Sequence, residues 1–75
     1  MDERIRDAVY QAYTGESKAS LRLKVFAEKA RDEGYPQLAK LFSVISFSEE
    51  LHGKRALRLL REIRSTQENL AESFE

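Results

Sequence analysis

The chain has 75 residues, no cysteine, and 13 basic residues balanced by 13 acidic ones. A chain of this length forms at most one small domain, and a single core of that size seldom supplies more than roughly 3–5 kcal/mol. The absence of cysteine excludes disulfides and thiolate metal sites, and the balanced charge does not favour nucleic acid or an anionic membrane. Because no signal peptide or apolar span is present either, we expect a cytoplasmic protein whose core is completed by a metal, a partner chain or both.

The first predicted element is a long amphipathic helix over about residues 3–33. Asp2 suits its N-cap, and apolar residues then recur at steps of four and three, as on one face of a helix. Gly34 suits the left-handed position after this helix, and Pro36 suits the first turn of a second helix over about residues 36–64. The connection is short, so the two helices should be antiparallel neighbours.

A short third helical segment is predicted at the carboxyl end. Ser65 and Glu68 have the spacing of a capping box, which predicts a helix start over about residues 66–75. Residues 1–75 therefore indicate one all-α unit, an antiparallel helical hairpin with a short third segment. Such a hairpin is half of a four-helix bundle, and dimerisation would complete it.

Three polar residues interrupt the apolar stripes of the two long helices. Glu16 interrupts the first stripe, which contains Ile5, Val9, Ala12, Ala19, Leu23, Phe26 and Ala30. Glu49 and His52 interrupt the second, which contains Leu38, Phe42, Ile45, Ala56, Leu59 and Ile63. A carboxylate buried without a partner is costly, so these residues need a proton, a partner or a metal.

The register of the hairpin places these three polar residues at the same level along the helix axes. Facing residues should have position numbers that sum to about 68, which sets Glu16 opposite His52. Glu49 precedes His52 by one helical turn and lies on the same face. Glu16, Glu49 and His52 are therefore the predicted metal ligands.

One hairpin supplies two carboxylates and one imidazole, which are too few to enclose a pair of metal ions. Two copies supply the ligand count of di-iron and di-manganese carboxylate bundles. Two divalent cations would also cancel the charge of about −4 on four carboxylates, which makes a filled site nearly neutral. Oxygen and imidazole ligands suit iron or manganese, and zinc can bind them too. The sequence thus predicts a homo-oligomer, at least a dimer, with two metal ions per four-helix bundle.

Several segments resemble rubrerythrin. AYTGES at 12–17, FAEKARDEGY at 26–35, LF at 41–42 and SEELH at 48–52 resemble its first two helices, and ENL at 68–70 resembles the start of its third. The resemblance implies a ferritin-like fold, with Glu16 as the first-helix ligand and Glu49 and His52 as the second helix's Glu-x-x-His. It also implies an oxidoreductase with a di-iron site that reduces hydrogen peroxide or dioxygen, or oxidises ferrous iron.

The sequence differs from the family pattern at several points. Leu23 stands where a tyrosine near the iron pair is expected, and Gly53 follows the histidine where alanine is usual. The second helix pair and the rubredoxin domain of the usual chain do not appear, so a redox function needs a separate electron donor. Two alternatives stay open: a structural dimerisation module with a buried Glu–His network, and a truncated half of a longer rubrerythrin.

Overall fold

A computed structural model describes residues 1–74 and contains three helices: α1 (Glu3–Asp32), α2 (Pro36–Leu59) and α3 (Thr66–Glu72). The first two form an antiparallel hairpin, so the predicted all-α fold is confirmed. The molecule is 45 Å long and 16 Å thick, which is the size of a single layer of two long helices. Position 75 of the predicted third helix lies outside the described residues. None of the helices within residues 1–74 is both long and apolar enough to cross a membrane.

Local hydrogen bonds explain where α1 begins and where the chain reverses. The Asp2 side chain accepts a bond of 2.7 Å from the backbone N–H of Arg4 and caps the helix. Gly34 has φ of +85°, a left-handed conformation that costs glycine little. The N–H of Tyr35 then donates to the carbonyl of Ala30 at 2.7 Å. Asp2 and Gly34 thus have the predicted roles.

Helix α2 ends at Leu59, five residues earlier than the predicted end at residue 64. Arg61 causes the difference, because it adopts a left-handed backbone with φ of 57° and its N–H bonds the carbonyl of Arg58 at 3.0 Å. That conformation costs a non-glycine residue roughly 1–2 kcal/mol. The turn places Leu60 in the core at 1% exposure, and burying a leucine contributes roughly 1.5–3 kcal/mol, which can offset the strain.

Helix α3 begins with the predicted capping box. The hydroxyl of Ser65 accepts a bond of 3.1 Å from the N–H of Glu68 and donates one of 2.9 Å to its carboxylate. Within residues 1–74, α3 packs on neither α1 nor α2. Its apolar residues Leu70 and Phe74 are consequently exposed.

Small side chains, rather than the apolar stripes, form most of the contact between α1 and α2. Along α2 and its C-cap, the buried residues Ala39, Ser46, Gly53 and Leu60 recur every seven positions. The larger residues of the two stripes stay uncovered in a single chain, where Leu59 is 54% exposed and Ile5, Phe26, Leu38 and Ile45 are also exposed. Small residues form this contact because their short side chains let the helix axes approach closely.

A buried pair of serines fixes the register of the hairpin. The hydroxyl of Ser46 donates to the carbonyl of Ser20 at 2.8 Å, and the hydroxyl of Ser20 donates to the carbonyl of Ser46 at 3.0 Å. Nearer the turn, the rings of Phe26 and Phe42 pack edge to face, with their centroids 5.8 Å apart. Both pairs have position numbers that sum to about 68, the register from which the predicted convergence was derived.

Candidate metal centre

The structure brings Glu16, Glu49 and His52 together about halfway along α1. One carboxylate oxygen of each glutamate and one imidazole nitrogen of His52 all lie within 4.8 Å of one another. Two features produce this geometry. The three-residue spacing places Glu49 and His52 on one face of α2, and the hairpin register sets Glu16 opposite them on α1.

Glu16 provides the test of whether a cation fits this group. Its oxygen Oε2 is buried and has no hydrogen-bond partner among residues 1–74. No hydrogen bond in the described part of the chain joins Glu16, Glu49 and His52 to one another. A carboxylate oxygen withdrawn from water without a donor is costly. A metal ion fits the orphaned oxygen and the donor set, since iron and manganese accept both carboxylate and imidazole ligands.

Gly53 lies in the helix–helix contact beside Glu16, where a methyl group would make only ordinary van der Waals contacts. This residue is buried, and a Cβ built on it would lie 3.5 Å from the hydroxyl of Ser17 and 3.9 Å from the Cβ of Glu16. The predicted counterpart at this height, Gly15, instead has open space around it. Gly53 alone of the two therefore lies in the helix–helix contact next to the candidate ligands.

A shallow groove of about 240 Å³ adjoins the ligands on the open side of the hairpin. Glu16 and His52 lie at one end of it, and its walls are mainly apolar: Val9, Ala12, Ala56 and Leu59, with Arg55. The groove belongs to the same face as the exposed parts of the two stripes. The candidate ligands therefore lie on a surface that is largely apolar and uncovered in a single chain.

Arg55, whose side chain is exposed, also lines this groove. It follows His52 by three residues, a spacing that places the two side chains on one side of the helix. That spacing was the signal that could have found it. Among residues 1–74, Arg55 makes no ion pair, so its guanidinium is the cationic group of the groove.

Glu50 follows Glu49 in the sequence but does not join the cluster. Its carboxylate accepts a hydrogen bond of 3.1 Å from Lys24 of α1 and lies 3.6 Å from Lys54. The hydrogen bond from Lys24, with the charges of Lys24 and Lys54, holds the pKa of Glu50 below its ordinary value. Glu50 thus remains ionised and bound to two ammonium groups, which leaves Glu49 as the second carboxylate of the site.

Comparisons of this sequence with a family model and with individual proteins all find rubrerythrins. The sequence model of the family described as Rubrerythrin matches residues 7–74. The chain is 38% identical over 56 residues to Rubrerythrin-2 of Clostridium acetobutylicum, covering 75% of this chain and 30% of that protein. It is 46% identical over 39 residues to the rubrerythrin of Nitratidesulfovibrio vulgaris, covering 52% of this chain and 20% of that protein.

A third relative, a putative rubrerythrin of Methanocaldococcus jannaschii, is 37% identical over 54 residues, covering 72% of this chain and 26% of that protein. The chain therefore spans less than a third of the length of these relatives. No solved structure matches it. The family match covers most of the chain and includes all three clustered residues. The chain belongs to the rubrerythrin family.

Proposed function

We propose that this chain is a di-metal carboxylate protein of rubrerythrin type that binds two iron ions between two copies of itself. The observation that carries the proposal is the cluster of Glu16, Glu49 and His52, whose donor atoms lie within 4.8 Å of one another beside an orphaned carboxylate oxygen. Membership of the rubrerythrin family favours iron over other metals with similar ligand preferences.

The shared site follows from the number of donors and from the face on which they lie. One chain offers two carboxylates and one imidazole, and the di-iron carboxylate bundles use four carboxylates and two imidazoles. A second copy placed on the same face by a two-fold axis would supply the missing set. It would also cover the exposed side chains of Leu38, Ile45 and Leu59, which a lone hairpin leaves in water.

Different residues of the chain would bind the ions and exclude water at such a site. Glu16, Glu49 and His52 would hold the ions, and Glu16 would gain a partner for its buried oxygen. Val9 and Leu59, which line the adjoining groove, would keep bulk water from the ligands once the face is covered. A dry surround strengthens the attraction between the carboxylates and the cations.

When bound there, a pair of iron ions would supply the two electrons needed to reduce hydrogen peroxide or dioxygen. The same site would serve for the oxidation of ferrous iron, which is then the substrate. The chain has no cysteine and so cannot hold a thiolate electron-transfer centre. Electrons for repeated turnover would therefore come from a donor outside these 75 residues.

The redox proposal is tested by mixing the protein, loaded with ferrous iron under anaerobic conditions, with hydrogen peroxide or with oxygen. We expect a change in near-ultraviolet absorbance in the wild type that Glu16→Ala and His52→Ala abolish. Glu28→Ala is the matched control, since Glu28 is an exposed carboxylate on α1 and should leave the change intact. A wild-type protein that binds iron but shows no absorbance change with either oxidant would contradict the redox function and leave only metal binding.

A further inference from the structure

Three arginines meet at the open end of the hairpin, where α1 begins and α2 ends. Arg6, Arg58 and Arg61 line one cavity of about 380 Å³, together with Met1 and Leu59. Within residues 1–74, none of the three guanidinium groups forms an ion pair with a carboxylate. Like charges that converge without a counter-charge repel one another, so the arrangement favours an anion in the cavity.

The turn at the end of α2 places Arg61 at this cavity. Its φ of 57° places it in the left-handed region, where glycine or asparagine is the usual residue after a helix. Burial of Leu60 offsets the strain of this conformation, and the same turn carries Arg61 at the edge of the cavity that it lines with Arg6 and Arg58.

Arg6 offsets the partial negative charge at the end of α2. A helix terminates in carbonyl groups that lack intrahelical partners and carry partial negative charge, which would repel an anion. Arg6 reaches across from α1 and donates a long hydrogen bond of 3.5 Å to the carbonyl of Leu60. The contact holds one guanidinium over the helix end and reduces the repulsion that the carbonyl would exert.

We propose that Arg6, Arg58 and Arg61 form a binding site for a phosphate-type oxyanion, either inorganic phosphate or a phosphate monoester. Guanidinium groups match phosphate because each offers a fork of N–H donors to its oxygens. Met1 gives the cavity an apolar side chain against which the organic part of a monoester can pack. The site is separate from the candidate ligands, since Glu16, Glu49 and His52 do not line this cavity.

The proposal is tested by titrating the full-length protein with inorganic phosphate and with phenyl phosphate at constant ionic strength, using calorimetry. Arg61→Gly and Arg58→Gln should each weaken the binding of phosphate about tenfold or more, the loss expected when charge-assisted hydrogen bonds are removed. Arg31→Gln is the matched control at the opposite end of the hairpin and should leave the affinity unchanged. Tighter binding of phenyl phosphate than of inorganic phosphate would assign the site to monoesters, and the reverse to the free ion.

Arg61→Gly gives a second readout that a merely structural role would not give. Without phosphate it should melt a few degrees higher than the wild type, because glycine adopts the left-handed conformation without strain. Phosphate should then raise the melting temperature of the wild type more than that of Arg61→Gly, since the wild type binds the ligand more tightly.

His52→Ala separates this site from the metal centre, because phosphate can also bind to metal ions. Binding that survives His52→Ala and is lost in Arg61→Gly supports the arginine site. Binding lost in His52→Ala but retained in Arg61→Gly would overturn it, as would equal affinities in Arg61→Gly and Arg31→Gln. An Arg61→Gly protein that changes its oligomeric state but keeps its phosphate affinity would also overturn it, because the arginines would then serve a contact between chains.

Discussion

Substitution of Glu16 by leucine should raise the melting temperature of the metal-free protein and abolish the rise that ferrous iron gives to the wild type. The first effect follows from the orphaned oxygen of Glu16. A buried acceptor without a partner costs about 1–3 kcal/mol, and the lower end of that range applies because the residue is only partly buried. Leucine removes the cost and extends the apolar stripe.

The second effect is larger, because a ligand that binds only the folded state adds its binding energy to stability. Metal at a hundredfold excess over its dissociation constant contributes about 2.7 kcal/mol. Each kcal/mol shifts the melting temperature of a domain this small by roughly 4–8 °C. We therefore expect ferrous iron to raise the wild-type melting temperature by roughly 10–20 °C and to leave Glu16→Leu unchanged.

The measurement is thermal unfolding followed by circular dichroism under anaerobic conditions, with the chain concentration held constant since an oligomer melts higher when concentrated. Glu28→Leu is the matched control: it removes an exposed carboxylate from the same helix and should keep the response to iron. Identical melting of the wild type with and without iron would contradict a metal site. A structural role for the three residues, as in a dimerisation module, would then be favoured.

The second large effect is expected at the end of α2, where Leu60→Ala should reduce the free energy of unfolding by about 2–5 kcal/mol. Leu60 is only 1% exposed and is the largest fully buried side chain of the described residues. Its loss leaves a cavity in a core otherwise built from alanine, serine and glycine. Since a core of this size seldom supplies more than roughly 3–5 kcal/mol, the variant should be largely unfolded in the absence of metal.

Two more exposed leucines serve as controls in urea unfolding followed by circular dichroism. Leu21→Ala should change the unfolding free energy by less than about 0.5 kcal/mol, because Leu21 is 65% exposed. Leu59→Ala should preserve helicity but weaken association, since Leu59 lies on the face that a second copy is proposed to cover. Equal losses for Leu60→Ala and Leu21→Ala would contradict the packing of the hairpin seen here.

The sequence predicted those features that depend on neighbouring residues. Asp2, Gly34 and the Ser65–Glu68 box determine local geometry through one or two hydrogen bonds, and the structure shows all of them. The convergence of Glu16 with His52 was predictable too, because a tight turn and a constant rise per residue fix the register of two straight helices.

The contact between the helices was harder to predict. Apolar periodicity marks a face that is buried against something, but it does not distinguish the other helix from a second chain. The contact between α1 and α2 contains residues such as Ser46 and Gly53, whose low hydropathy gives no signal in a search for apolar stripes. Their recurrence at seven-residue intervals with Ala39 was the available indication.

The end of α2 was predicted too late for a similar reason. A glycine or proline normally marks where a helix stops, and Arg61 provides neither signal. Arginine favours helices, and Ile63 continues the apolar spacing beyond the true end. The left-handed turn is stabilised by the burial of Leu60, which only the folded hairpin reveals.

Two copies of this chain are proposed to hold a metal pair between them. Native mass spectrometry of the protein, loaded anaerobically with ferrous iron, measures the number of chains and the number of ions in one experiment. Two chains, or a multiple of two, with about one iron ion per chain are expected, and His52→Ala should lose the iron. A single chain that retains iron, or a dimer that contains none, would contradict the claim.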